Sequence, residues 1–312
     1  GDDDELVALT LNNLGNLRWR QGLLTEAEAF HRRALTLRES LPEPDPVRIG
    51  DSANNLGVLL NALSRPQEAV PFFERALEAH AEAYGADHAT TAVARNNLGI
   101  AALSLGYWDR AEAHFDRAAD AWRRAYGAAH SRTLRAEFNA AQAIRWQGQL
   151  DEAVRVLHSV LERQERAEPP MPDEVGRTLS ALGSLLTDLG DFAAAEEAVN
   201  RSVDLQLGLF GPEHRRTLLS RFSRARLWQR LGDDRGGPEL EQLLALGEPV
   251  FGADSTYVAS VLHELGAAAA ASGDVGTARS LLSRAVDIRR RKLSATHPMR
   301  QLSERLLAEL GT

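Results

Sequence analysis

The 312-residue sequence predicts an all-α chain of seven stacked helix pairs followed by one closing helix. Three observations carry this prediction. The run Leu11-Asn-Asn-Leu-Gly15 recurs as Ala53-Asn-Asn-Leu-Gly57 and Arg95-Asn-Asn-Leu-Gly99, with the glycines 42 residues apart. The same step reaches Ala141, Gly183 and Ala225, and a step of 41 then reaches Gly266. Seven residues past each anchor stand Gly22, Ser64, Gly106, Gly148, Gly190, Gly232 and Gly273; twelve past it stand Ala27, Ala69, Ala111, Ala153, Ala195, Gly237 and Ala278. No segment alternates as a strand does, whereas apolar residues recur at helical spacing.

Each repeat reads as helix, glycine turn, helix, loop. Small residues at fixed offsets let two helices approach closely, and glycine supplies the turn between them. In the third repeat the first helix spans about 91–105 and places Val93, Leu98, Ile100, Ala101 and Leu105 at helical spacing. The second, about 108–126, opens with Asp109 and Glu112 and closes with Arg123 and Arg124, matching the helix dipole at both ends. The loops share a spacing: Gly85, His88, Thr91; Gly127, His130, Thr133; Gly211, His214, Thr217. The sixth repeat departs, because Gly236-Gly237-Pro238 stands where the others open a helix on Ala. Its second helix is expected to be loosened or shifted. Residues 1–297 thus form the array, and 298–312, with an amphipathic stretch Met299 to Leu310, form a helix that covers its last apolar face.

Composition narrows the function. The chain is 44% hydrophobic and 26% charged, an ordinary composition for a packed core. A net charge of −8 argues against binding nucleic acid or an anionic membrane. No apolar run is long enough to span a bilayer, and the start carries no secretory leader. The absence of cysteine removes disulfides, thiolate metal sites and cysteine nucleophiles, and fits a cytoplasmic protein. All but one of the 36 basic residues are Arg, the exception being Lys292, a bias expected of a GC-rich bacterial genome. The chain begins at Gly1 without Met, which points to a piece of a longer protein.

The Leu-Asn-Asn-Leu-Gly run, the glycine turn, Glu26-Ala-Glu28 and Glu74-Arg-Ala-Leu77 resemble the tetratricopeptide repeat in its 42-residue, kinesin-light-chain variety, as found also in arrays of bacterial signalling proteins. The resemblance covers about residues 5–292. It implies a right-handed superhelix whose first helices line a concave groove, and a protein- or peptide-binding scaffold without enzymatic activity or cofactor.

With the anchor as position eight, positions 2, 5, 6, 9, 12 and 13 share one face of each first helix. Position six reads Asn13, Asn55, Asn97, Asn139, Ala181, Ser223 and Glu264. Successive mid-helix Asn is unusual, because its side chain competes for backbone hydrogen bonds. In relatives that hold extended peptides, Asn here clamps the ligand backbone, and one amide offers both a donor and an acceptor to a peptide unit. An alternative is a ladder of Asn bonds between neighbouring helices. Position five adds Asn12, Asn54 and Asn96, then Phe138, Ser180, Phe222 and His263. The six columns hold Arg20, Arg135, Arg145, Arg177, Arg226 and Arg230 against Asp51, Asp188 and Glu264, so the face is expected to be basic on an acidic protein and to favour an acidic segment. Trp19, Trp146, Phe138 and Phe222 supply stacking surface there. The alternative is Arg lying along helix faces with no ligand.

The loop residues His88, His130, His214 and His297 recur too far apart to share a metal, and are expected to fix the loops by local hydrogen bonds. No nucleophile elbow, phosphate loop, zinc-helix motif or dinucleotide fingerprint is present. The reading is a scaffold for a protein or peptide ligand. Three other roles stay open: a sensor or autoinhibitory arm that packs on other domains of a larger signalling ATPase or transcriptional regulator, a self-assembly module, and a groove for a small molecule.

Overall fold

The structure, a computed structural model, describes residues 2–311. The described residues form fifteen helices and no strand: α1 (Asp2–Arg20), α2 (Leu24–Glu39), α3 (Pro46–Ala62), α4 (Pro66–Tyr84), α5 (Thr91–Leu105), α6 (Trp108–Tyr126), α7 (Ser131–Trp146), α8 (Leu150–Glu165), α9 (Pro172–Leu189), α10 (Phe192–Phe210), α11 (Arg215–Leu231), α12 (Gly236–Phe251), α13 (Thr256–Ala271), α14 (Val275–Lys292) and α15 (Pro298–Glu309). The fold is the all-α helical repeat that the 42-residue period predicts, and the third repeat has the helix limits read from sequence. Among the described residues no helix is long and apolar enough to cross a membrane.

The small-residue columns have distinct jobs. The turn glycines adopt positive φ, and Ser64 alone among described non-glycine residues does so, at 61°. The anchor glycines make room for a side chain of the following helix. A Cβ on Gly57 would lie 2.7 Å from the Phe73 ring, and one on Gly99 would lie 2.6 Å from Phe115. In the third column Ala27, Ala69, Ala111, Ala153, Ala195 and Ala278 are wholly buried.

The sixth repeat is shifted, as expected. Its second helix starts four residues after Gly232, whereas α6 starts two residues after Gly106. The close approach moves with it: Gly236, not Gly237, lies against the backbone of Gln229.

Two compact halves divide the chain, residues 1–143 and 144–312. In the first, α1 to α5 pack each on the next, and α5 on α6, around Leu56, Leu60, Phe73, Phe115 and Trp122. In the second, α8 through α15 continue the same succession around Leu218, Leu240, Leu243, Val258 and Leu262.

The loop histidines hold helix starts. Nδ1 of His88, His130, His214 and His297 accepts from the backbone N–H of Thr90, Arg132, Arg216 and Met299, at 3.2 to 3.3 Å. His88 and His214 stack on Tyr84 and Phe210, and His130 meets Tyr126 at a tilt, with ring centroids 4.4 to 5.2 Å apart. These are the local bonds the repeated spacing predicts.

Candidate functional site

The first half carries the asparagine columns. Position six follows the face away from the following helix, so Asn13 is exposed and Asn55, Asn97 and Asn139 are half-buried. Position five is turned a further 100° toward the neighbours. Asn12 is 5% exposed; its Nδ2 donates to Ser52 Oγ at 2.8 Å, and its Oδ1 accepts from His31 Nδ1 at 3.0 Å. Asn96 is 4% exposed. Asn12 therefore ties helices together and Asn96 is enclosed among them, so the surface that a ligand would meet narrows to position six.

One rung of an Asn ladder is present. Asn97 Nδ2 donates to Asn54 Oδ1 at 2.8 Å, across α5 and α3. That leaves Asn97 Oδ1 available, while Asn13, Asn55 and Asn139 make no side-chain hydrogen bond among the described residues. Arg20 and Arg135 are exposed on the same half, and Trp19 is half-buried. Asp51 bonds His80 Nε2 at 3.0 Å. Phe138, expected in the groove, is 8% exposed and belongs to the core side of its helix.

The second half carries the arginines, and they do not stand free. Arg145 donates to Asp188 at 2.7 Å, Arg226 donates to the other oxygen of Asp188 at 2.8 Å, and Arg226 Nε reaches Glu264 at 3.0 Å. Ser184 accepts from Arg226 at 2.7 Å. The result is an alternating ladder, Arg145–Asp188–Arg226–Glu264, across α7, α9, α11 and α13. Two of the expected basic residues are thus neutralised by the two acidic residues of the same face. Arg177 is half-buried, while Arg230 is exposed with no ion pair among the described residues. Trp146 meets His297 edge-on at 5.1 Å, and Phe222 meets Tyr257 at 5.7 Å.

Sequence reasoning missed a pair of buried polar pins. Arg38 of α2 donates to Ser52 Oγ and to the Arg48 carbonyl, both at 2.8 Å, and reaches Glu5 at 2.8 Å. Against the desolvation of burial, Arg48 and Arg38 hold the Glu5 carboxyl below its usual range. Arg289 of α14 repeats the arrangement, donating to Ser303 Oγ and to the Met299 carbonyl, and Ser303 bonds His263 Nδ1 at 2.9 Å. Ser303 Oγ thus joins Arg289 to His263, accepting from the guanidinium and sharing a hydrogen with Nδ1 of the imidazole. Burial, with Arg289 beside it, pushes the His263 imidazole down to about 4. Arg289 is 2% exposed, lacks a bonded carboxylate, and is brought down to about 10 by burial. The signal was in the period: Arg38 and Arg289 each stand 23 residues past an anchor glycine.

Paired helices with a glycine turn, repeated every 42 residues, define a tetratricopeptide scaffold, and the comparisons agree. Two family models described as tetratricopeptide repeat match the chain, one over residues 6–80 and 48–113, the other over 175–216 and 258–298. The chain belongs to the tetratricopeptide repeat family, in its kinesin-light-chain variety, whose fold is a protein-binding scaffold. It is similar to BtubC (BKLC) from P. vanneervenii, at 25% identity over 67% of this chain and 83% of that one, with a TM-score of 0.59. The fold also matches the apo quorum sensor NprR from B. thuringiensis, at 13% identity over 99% and 88% of the two chains and a TM-score of 0.66. A Rap protein complexed with Competence and Sporulation Factor matches at 14% identity over 99% and 98%, with a TM-score of 0.58. No curated protein matches the sequence.

Proposed function

We propose that the chain binds an extended protein segment along the first-helix face of its first half, with the segment's backbone held by Asn55, Asn97 and Asn139 and, at the end of the row, Asn13. The observation that carries this reading is hydrogen-bonding capacity left over on one face. Asn13, Asn55 and Asn139 keep whole amides uncommitted, and Asn97 keeps its Oδ1. Peptide units present a donor and an acceptor on each edge, which such amides satisfy in pairs. The 42-residue period repeats the amide once per first helix, and an extended ligand repeats its own groups along its length.

An acidic character of the segment is supported here by Arg20 and Arg135, exposed on the same half, and not by Arg145 and Arg226, which already have carboxylate partners. Among proteins of this fold, a Rap protein has been solved complexed with Competence and Sporulation Factor, so the fold is compatible with holding a partner.

The test is a displayed library of linear peptides selected on the wild-type chain, followed by affinity measurement on Asn55→Ala/Asn97→Ala. Each lost amide bond removes about 0.5–1.5 kcal/mol, so the double variant should bind the selected peptides about tenfold or more weakly with unchanged helicity. Equal affinity for the two proteins would reject the clamp.

A further inference from the structure

The second half contains a cavity of about 520 Å³ bordered by α11, α13 and α15. It exists because one repeat is trimmed. At positions nine and thirteen the fifth repeat has Ser184 and Asp188 and the sixth has Arg226 and Arg230, whereas the seventh has Ala267 and Ala271. The removed side chains leave a hollow that α15 closes on one side with Leu302 and Leu306.

The chemistry of the wall is divided. One part is apolar: Ala267, Ala268, Ala271, Leu302 and Leu306. The other is cationic. Arg230 and Arg305 both border the cavity, both are exposed, and neither makes an ion pair among the described residues. Glu264 is on the wall too, but its charge is matched by Arg226 at 3.0 Å. Glu309 is the one other carboxylate there. Behind His263, which also lines the hollow, lies Arg289, a buried guanidinium with no bonded carboxylate and with its Nε unpartnered. The field inside is therefore positive. Beside burial, Arg289, Arg226 and Arg230 disfavour a proton on His263, and Glu264 opposes them.

We propose that this cavity is a binding site for a small aliphatic monocarboxylate, with the carboxylate between Arg230 and Arg305 and the hydrocarbon chain against the Ala and Leu wall. A guanidinium pair suits a carboxylate because each presents a planar fork of donors. A hydrocarbon tail suits the remaining wall because Ala and Leu side chains offer no hydrogen bond, so a peptide backbone laid there would be desolvated without partners. The volume falls in the range of small-molecule sites. The site is independent of the asparagine face, which lies in the other half of the chain.

The experiment is calorimetric titration of the wild-type chain with sodium octanoate, octanamide and the dipeptide acid acetyl-Leu-Leu. Octanoate should bind, octanamide at least tenfold more weakly, and acetyl-Leu-Leu more weakly than octanoate. Arg230→Gln/Arg305→Gln changes only exposed side chains and should reduce octanoate affinity at least tenfold. Ala271→Leu, which refills the hollow, should do the same, while Asn55→Ala/Asn97→Ala should leave octanoate binding unchanged. Magnetisation transfer from octanoate methylenes to the Ala267 and Ala271 methyls gives a readout that does not depend on any variant folding. Absence of octanoate binding, equal binding of octanamide, a preference for acetyl-Leu-Leu, or binding without contact to those methyls would each overturn the proposal.

Discussion

Gly57 and Gly208 illustrate why residue identity must be judged by what surrounds it. Both are helical, yet a Cβ on Gly57 meets Phe73 at 2.7 Å while one on Gly208 meets nothing within 4 Å. Gly57→Ala should therefore cost about 1–3 kcal/mol through overpacking. Gly208→Ala should raise stability by about 0.5–1 kcal/mol through helix propensity. Urea unfolding of the two variants checks both signs; two changes of the same sign would contradict the packing account. His263 supplies a pH prediction at the same scale. Its folded value is pushed down to about 4, below the ordinary 6.5, so between those limits the unfolded chain binds the extra proton. The contribution is full above pH 6.5 and is lost as pH falls through 4, about 3 kcal/mol in all. Unfolding measured at pH 7 and 4.5 should show part of this loss, and His263→Gln should flatten it. An unchanged pH slope in the variant would place the titration elsewhere.

Helices α4 and α12 show how turns set element stability. Ser64 closes the turn before α4 at φ 61°, a left-handed conformation that costs an L-residue about 1–2 kcal/mol. Ser64→Gly should stabilise the second repeat by about 0.5–1 kcal/mol once glycine's greater chain entropy is deducted. A lower melting temperature in that variant would mean that the Ser64 side chain is needed. At α12 the two glycines should respond in opposite directions. Gly236 lies 3.1 Å from the Gln229 backbone at its Cβ position, so Gly236→Ala forces the helix away; Gly237 has room and lies in the helix, so Gly237→Ala should strengthen its first turn. Hydrogen exchange read over residues 232–240 reports both, and in the wild type this segment should exchange earlier than the turn at Gly106. Equal protection would show that the late helix start carries no local weakness.

At the scale of the molecule, stability belongs to neighbours. Within each half, helices pack mainly on those adjacent in sequence, and successive second helices are linked by ion pairs at one fixed spacing: Glu39–Arg75, Glu165–Arg201 and Glu248–Arg284, each 36 residues apart. Such exposed pairs contribute about 0–1 kcal/mol each, so they register the stack more than they stabilise it. A lesion should then stay local. Gly57→Ala should speed amide exchange in α3, α4 and α5 and leave α13 and α14 at wild-type protection. Uniform loss across both regions would indicate one cooperative core.

The amino-acid sequence by itself determined the repeat, the turns, the helix limits of the third repeat, the histidine-fixed loops and the shift of α12. These depend on local geometry: glycine's access to positive φ, the 3.6-residue helical period, and small residues at fixed offsets. Tertiary structure alone decided the character of the groove face. Asn12 and Asn97 are separated from their partners by 40 and 43 residues, and a rotation of 100° between positions five and six decides which amide is buried. The charge of that face was likewise not a count of arginines, because Asp188 and Glu264 reach Arg145 and Arg226 only when four first helices stand side by side. The cavity beside Ala267 depended on where α15 comes to rest. Side-chain distances across dozens of residues are set by packing, and composition does not encode them.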